Sequence, residues 1–193
     1  LPINREFQLF NEASTGLRRH TGNEEYLSGT KITGFCTAAS LLFAKKCLET
    51  PTWFPRKRED AAWGDSQAQL VMHKLNLCNN NPDGLAGCAG LQQTTGFKEA
   101  VTAEQVASEV SQANNRVGIF WNSYHIIGIK QAATRARTLE GQDVTRDELH
   151  VWDQNYGFFS MGISDLGAYY KQYYPKPGWN DRDQIQGFLG LQL

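Results

Sequence analysis

A chain of 193 residues with 40% hydrophobic content can bury one sizeable core, and it reads as a single domain, residues 1–193. Its net charge of -1 gives no electrostatic footprint for nucleic acid or an anionic membrane as partner. No run approaches the roughly 18 apolar residues of a membrane span, which excludes an integral membrane segment.

Residues 1–33 are mixed, rich in Gly, Thr and Asn, and carry weak structural signals. A helix is expected from about Phe35 to Glu49. Ala38, Leu41, Leu42, the Lys45 stem and Leu48 recur at three and four, and Pro51 stops it. Residues 60–77 read as a second helix with Ala61, Leu70, Val71 and Leu75 inside. Residues 78–96 hold Asn79-Asn80-Asn81-Pro82-Asp83-Gly84 and further glycines, and read as a loop. Thr102-Ala103-Glu104-Gln105 is a capping-box pattern that starts a third helix through about Gln112.

Strand signals then take over. Val117–Trp121 and His125–Ile129 are β-rich runs separated by Asn122-Ser123-Tyr124, a tight hairpin. The polar stretch 131–147 reads as a loop, followed by a strand Glu148–Asp153, a turn at Asn155–Gly157 and a strand Phe158–Met161. Ser164 is expected to cap a short helix through about Tyr170, and Ile185 to Leu193 reads as a last strand. Helices first and antiparallel strands later predict an α+β domain.

The cysteines are Cys36, Cys47, Cys78 and Cys88. No C-x-x-C occurs, which argues against a zinc ribbon or a thioredoxin-like redox site, and no metal or cofactor is expected. Cys36 and Cys47, eleven apart on one helix, are separated by about 16 Å, too far for a disulfide. Cys78 and Cys88 flank the Gly/Asn/Pro loop and can be bridged only in an oxidised chain. Such sparse cysteines point to a reducing place of action. The chain opens on Leu1 without a signal-peptide pattern, as expected of a processed product or a domain excised from something longer.

Three residues stand out together. Cys36 sits at a helix start, where dipole and unpaired N–H groups favour a thiolate over a thiol. Thr33 and Gly34 permit a sharp turn there, and the Cys36 N–H can face a developing oxyanion. A thiol nucleophile needs a base, and the base needs a group to hold its ring. Of the histidines, His20 lies in a polar region and His73 in a helix. His150 alternates with Trp152, which puts it on the opposite strand face from Asp153. His125 differs. If strands 125–130 and 148–153 pair with Lys130 against Glu148, His125 stands opposite Asp153. Asn155 shares a strand face with Asp153 and is the alternative orienting group.

At Gly34-Phe35-Cys36, His125 and Asp153-Gln154-Asn155-Tyr156-Gly157 the sequence resembles the YopT/AvrPphB family of bacterial effector proteases. That family's aspartate lies in an Asp-x-Asn-x-Gly stretch followed by an aromatic, here Asp153, Asn155, Gly157 and Phe158. The resemblance spans Gly34 to Phe159. It implies a papain-like cysteine protease fold, with N-terminal helices, the nucleophile at a helix start, packed on a C-terminal antiparallel sheet. It also implies a Cys36-His125-Asp153 triad. Enzymes of this kind are secreted or delivered by bacterial secretion systems and cut a protein in the target-cell cytosol; a delivered toxin further implies a cognate immunity protein in the producer. Papain-like enzymes take a second oxyanion donor from a Gln or Asn shortly before the cysteine. This sequence has Thr30, Lys31 and Thr33 there, and its nearest upstream amide is Asn23. The same triad order also serves transglutaminases, deamidases and cell-wall peptidases, and a non-catalytic binding module remains the reading from another class.

Overall fold

In a computed structural model of the chain, the described residues are 4–7, 35–53, 70–71, 73–74, 82–94, 98–99, 101–122, 125–138, 141, 143–153, 156–174 and 184–193. The strands are β1 (Asn4–Phe7), β2 (Gln92–Gln93), β3 (Lys98–Glu99), β4 (Val117–Trp121), β5 (Ile126–Arg137), β6 (Asp143–Asp153), β7 (Gly157–Gly162) and β8 (Gly187–Gln192). They form one eight-stranded antiparallel sheet in the order β1-β7-β6-β5-β4-β8-β2, with β3 also paired to β8. The helices are α1 (Phe35–Glu49), α2 (Pro82–Cys88), α3 (Ala103–Val110) and α4 (Leu166–Tyr173), the last entered through a 3-10 turn at Ile163–Asp165. The domain is α+β, as its order of sequence signals predicts.

Both faces of the sheet are covered. Alternation along each strand sends successive side chains to opposite faces. Ile119, Trp152, Phe158 and Leu189 therefore join the core under α1 and α2, while Phe120, Ile127, Ile129, Val151 and Phe159 join a second core under α3 and α4. Helix α1 spans the residues its periodicity predicts. It is buried more fully than a one-sided stripe requires, since Ala39, Phe43 and Cys47 are also inside. Phe43 stacks on Trp152 at 5.6 Å between ring centroids. It also lies over Gly128, where an added Cβ would come within 2.6 Å of Phe43 Cδ1. The far end of α1 is tied to the sheet by buried Lys130, whose Nζ donates to the Pro51 carbonyl at 2.6 Å. Helix α3 opens on the expected capping box, Thr102 and Gln105 exchanging side-chain and backbone bonds.

Several expectations are corrected. The stretch 131–147 is not a loop: β5 and β6 run on to Arg137 and Asp143 and turn near Gly141 (φ 83°). Beyond Gln131, β5 has only β6 as its strand partner among the described residues, so 132–137 and 143–147 project as a two-stranded ribbon. Neither face of a ribbon needs an apolar side, so the two-residue apolar alternation that marks a half-buried strand is missing from its sequence. The register is also shifted by two: Lys130 faces His150 rather than Glu148.

Within 78–96, Pro82–Cys88 is helical and Gln92–Gln93 is a strand. Of the expected helix 60–77, only Leu70, Val71, His73 and Lys74 lie among the described residues. They are helical, with Val71 buried and Leu70 exposed rather than inside. Ser164 lies within the 3-10 turn rather than capping a helix, and α4 continues to Tyr173. Asn4–Phe7, in the weakly patterned N-terminal stretch, forms a strand on β7.

Candidate active site

The site lies where the two helical layers meet at one end of the sheet. Cys36 is the second residue of α1, whose first turn carries no acidic side chain. The positive end of the helix thus has no fixed carboxylate to satisfy it, and a thiolate there supplies the missing negative charge. Cys36 stays partly exposed, whereas Cys47, three turns on, is buried. One turn after Cys36, the fully buried Ser40 donates its hydroxyl to the Ile126 carbonyl at 3.1 Å. That bond pins the start of α1 to the residue following His125.

His125 stands just ahead of β5 and is buried. Asn122 closes the turn that presents it. The Asn122 N–H donates to the His125 carbonyl at 3.1 Å, and the His125 N–H donates back to Asn122 Oδ1 at 2.9 Å. The buried Asn122 amide also donates to the Tyr170 hydroxyl at 2.9 Å.

Asp153 ends β6 and is fully buried. It pairs in register with Gly157, whose φ of 138° is one that side chains rarely adopt, so glycine allows the turn back into β7. His125 Nε2 donates to Asp153 Oδ1 at 2.9 Å. A two-residue register shift preserves parity. Asp153 therefore stays on the face the sequence predicts and meets His125 diagonally instead of directly across.

With Nε2 committed to Asp153, Nδ1 is the ring nitrogen left for Cys36, whose sulfur is hydrogen-bonded to the imidazole. Burial alone would raise the Cys36 pKa. The hydrogen bond and positive charge of His125, the Ile126 backbone and the Thr37 side chain outweigh it and hold the thiol below its ordinary 9.0. Burial pulls His125 down, but Asp153 and then Cys36 dominate and raise it to about 10. Burial pushes Asp153 up, and His125, Tyr169 and Tyr174 overcome that to hold it below 3.8. All three shifts favour thiolate, imidazolium and carboxylate together. Cys47 provides the contrast: burial pushes it up to about 12, with only a small opposing effect from Lys130.

The three residues singled out from sequence are thus adjacent. His150 lies on the other face, bonded to Glu148 at 2.7 Å and packed edge-on against Phe158, as its alternation with Trp152 predicts. His73 is helical at an exposed position. His20, Asn155, the Thr33-Gly34 turn, Asn23 and Cys78 lie outside the described residues. Sequence reasoning did not single out Ser40, Asn122, Tyr169 or Tyr174. The i,i+4 pairs Tyr169/Tyr173 and Tyr170/Tyr174 mark an aromatic helix face in the sequence but give no signal of its contact with Asp153. No three His, Cys, Asp or Glu side chains group as metal ligands among the described residues, and no described helix is long and apolar enough to cross a membrane.

No protein-family profile matches the chain, and no curated protein matches it. Among solved structures it is similar to the Pseudomonas avirulence protein AvrPphB. Identity is 13% and the TM-score 0.47, over 86% of this chain and 100% of that one. It is also similar to PatoxP, a cysteine protease-like domain of the Photorhabdus asymbiotica toxin PaTox. There identity is 14% and the TM-score 0.45, over 86% of this chain and 50% of that one.

Proposed function

We propose that residues 1–193 form a papain-like cysteine endopeptidase domain in which Cys36 is the nucleophile, His125 the proton carrier and Asp153 the group that holds His125. The observation that carries this reading is the buried His125–Asp153 bond of 2.9 Å, on an imidazole that also interacts with a cysteine at a helix N-terminus. The Cys36 thiolate attacks the carbonyl carbon of a substrate peptide, and the electron pair moves to the carbonyl oxygen. The first N–H groups of α1 face the charge that develops there. Collapse expels the amine, which takes its proton from the His125 imidazolium and leaves a thioester on Cys36. Water, deprotonated by His125, then attacks the thioester and releases the acid, restoring the thiolate–imidazolium pair. Asp153 stays ionised throughout and fixes the ring.

The motifs at Cys36, His125 and Asp153–Phe158 further support a bacterial effector or toxin domain. It is delivered by a secretion system and cuts a protein in the target cell, with an immunity protein protecting the producer. The test is a mass-spectrometric map of new protein N-termini in target-cell lysate treated with wild type or Cys36→Ala. New termini made by wild type alone are expected. Glutamine-to-glutamate conversions or isopeptide cross-links without new termini would instead assign the same thioester chemistry to a deamidase or a transglutaminase. Identical maps from the two proteins would contradict an enzyme using Cys36.

A further inference from the structure

Asp153 has two carboxylate oxygens, and acyl transfer as proposed above uses only Oδ1. Oδ2 accepts from the Tyr169 hydroxyl at 2.5 Å and from the Tyr174 hydroxyl at 2.6 Å. Both tyrosines belong to one segment, Tyr169 in α4 and Tyr174 at its C-terminal end, and both are buried. Tyr174 also lies over the His125 ring, 6.0 Å between centroids at an interplanar angle of 23°, and stacks on Tyr170 at 4.8 Å. Tyr170 in turn accepts from Asn122, which closes the turn carrying His125. One helix end therefore reaches both members of the pair. It holds Asp153 through two hydroxyls, and it covers His125 with a ring and steadies its turn.

We infer that Tyr169 and Tyr174 are positioning residues for this site: they keep Asp153 ionised, aim Oδ1 at His125, and limit how tightly the His125–Asp153 pair holds a proton. The inference rests on the cysteine-protease reading for its purpose, though its physical content does not depend on substrate.

A carboxylate removed from water is costly unless its lone pairs are met, and charge-assisted hydrogen bonds are the strong way to meet them. Each hydroxyl stabilises the bare anion more than the anion already neutralised by an imidazolium. Two such donors thus lower the proton affinity of the pair. A base held too tightly protonated is a poor acid toward a leaving amine, so this restraint serves the second half of the reaction. The titratable groups facing the pair are Cys36 from α1 and Tyr169 and Tyr174 from α4 and its end; Tyr170 and Tyr173 face Tyr169, and Tyr156 ahead of β7 faces Tyr174. Burial and then the Asp153 charge raise Tyr169 and Tyr174 well above 10.0, so both remain donors at neutral pH.

The experiment titrates the His125 imidazole by NMR in the full chain carrying Cys36→Ala, which removes the thiol from the coupled system. Tyr169→Phe and Tyr174→Phe are then added singly. Phe keeps the ring packing and deletes only the donor. Each is expected to raise the apparent pKa of the His125–Asp153 pair by roughly half a unit to one unit. A titration that is unmoved or lowered, in a folded variant, overturns the inference and leaves the hydroxyls a purely structural role. If Tyr169→Phe does not fold, Tyr174→Phe at the helix end decides the matter alone. No substrate enters this measurement, so failure to find a cleaved protein would count against the protease reading without touching this result.

Discussion

At the scale of the residue, Cys36, His125 and Asp153 shift one another's pKa values, and that has a consequence for stability. His125 is raised from 6.5 to about 10, so its contribution is fully present below pH 6.5 and is lost as pH rises through about 10. Cys36 is lowered from 9.0, so its contribution is present above pH 9.0 and is lost as pH falls through its folded value. Below pH 9.0 the two slopes oppose each other wherever both groups titrate. Wild-type unfolding free energy should therefore be flatter between pH 6.5 and 9.0 than that of Cys36→Ala, which keeps the falling His125 limb without the rising thiol limb. Urea melts across that window check this, and a Cys36→Ala profile no steeper than wild type contradicts it.

Asp153 gives a second residue-scale prediction. Asp153→Ala leaves His125 and two tyrosine hydroxyls buried around a void and should cost about 3–5 kcal/mol, as for a buried pair that loses one partner. Asp153→Asn, which fills the space and keeps one acceptor oxygen, should cost less. Thermal melts that rank the two the other way contradict the assignment of Asp153 as the acceptor at the centre of this cluster.

At the scale of the element, the packing of α1 on β5 places the sulfur. Gly128→Ala drives a Cβ to within 2.6 Å of Phe43 Cδ1, in the middle of that contact. Over-packing of this kind costs about 1–3 kcal/mol. It should also tilt α1 away from His125 and slow alkylation of Cys36 by a small reagent. Normal stability with normal alkylation would mean that the contact does not govern the site. The β5–β6 ribbon makes the opposite prediction. It extends about 20 Å past the sheet, on the side away from His125 and Asp153. Joining Ala133 to Asp147 through a two-residue Asn-Gly turn should leave Cys36 alkylation unchanged; a large loss would show that the ribbon supports the site. Part of segment 78–96, read from sequence as a loop, instead serves the α1 core. Leu85, Ala86, Cys88, Ala89 and Leu91 are core residues, and Lys45, nine residues along α1 from Cys36, donates to the Ala89 carbonyl at 3.1 Å.

At the scale of the whole molecule, the features legible in sequence are those with local causes. Helix α1 shows in its spacing and in Pro51, α3 in its capping box, and β4 in its β-rich run, because each of these signals acts within a few residues. His125 and Asp153 were matched from the wrong register. The match survived because a shift of two keeps every side chain on its face, whereas a shift of one would have separated them. The ribbon, β1 and α2 were illegible for a common reason. The partners of β1 and α2 are remote in sequence, and no apolar period marks any of the three. The tyrosines on Asp153 depend on α4 packing against the end of β6, a contact that no local pattern encodes. What the whole fold achieves is to bring a helix start from one layer and a strand end facing the other onto a single imidazole. The most direct test of that arrangement is the rate of Cys36 carboxymethylation by iodoacetamide as a function of pH, followed by peptide mass spectrometry on the intact chain. A thiolate held by His125 predicts a rate profile displaced to lower pH than that of an ordinary thiol, and one that moves back up in His125→Asn. A wild-type profile rising through a midpoint near 9, unchanged by His125→Asn, would contradict it.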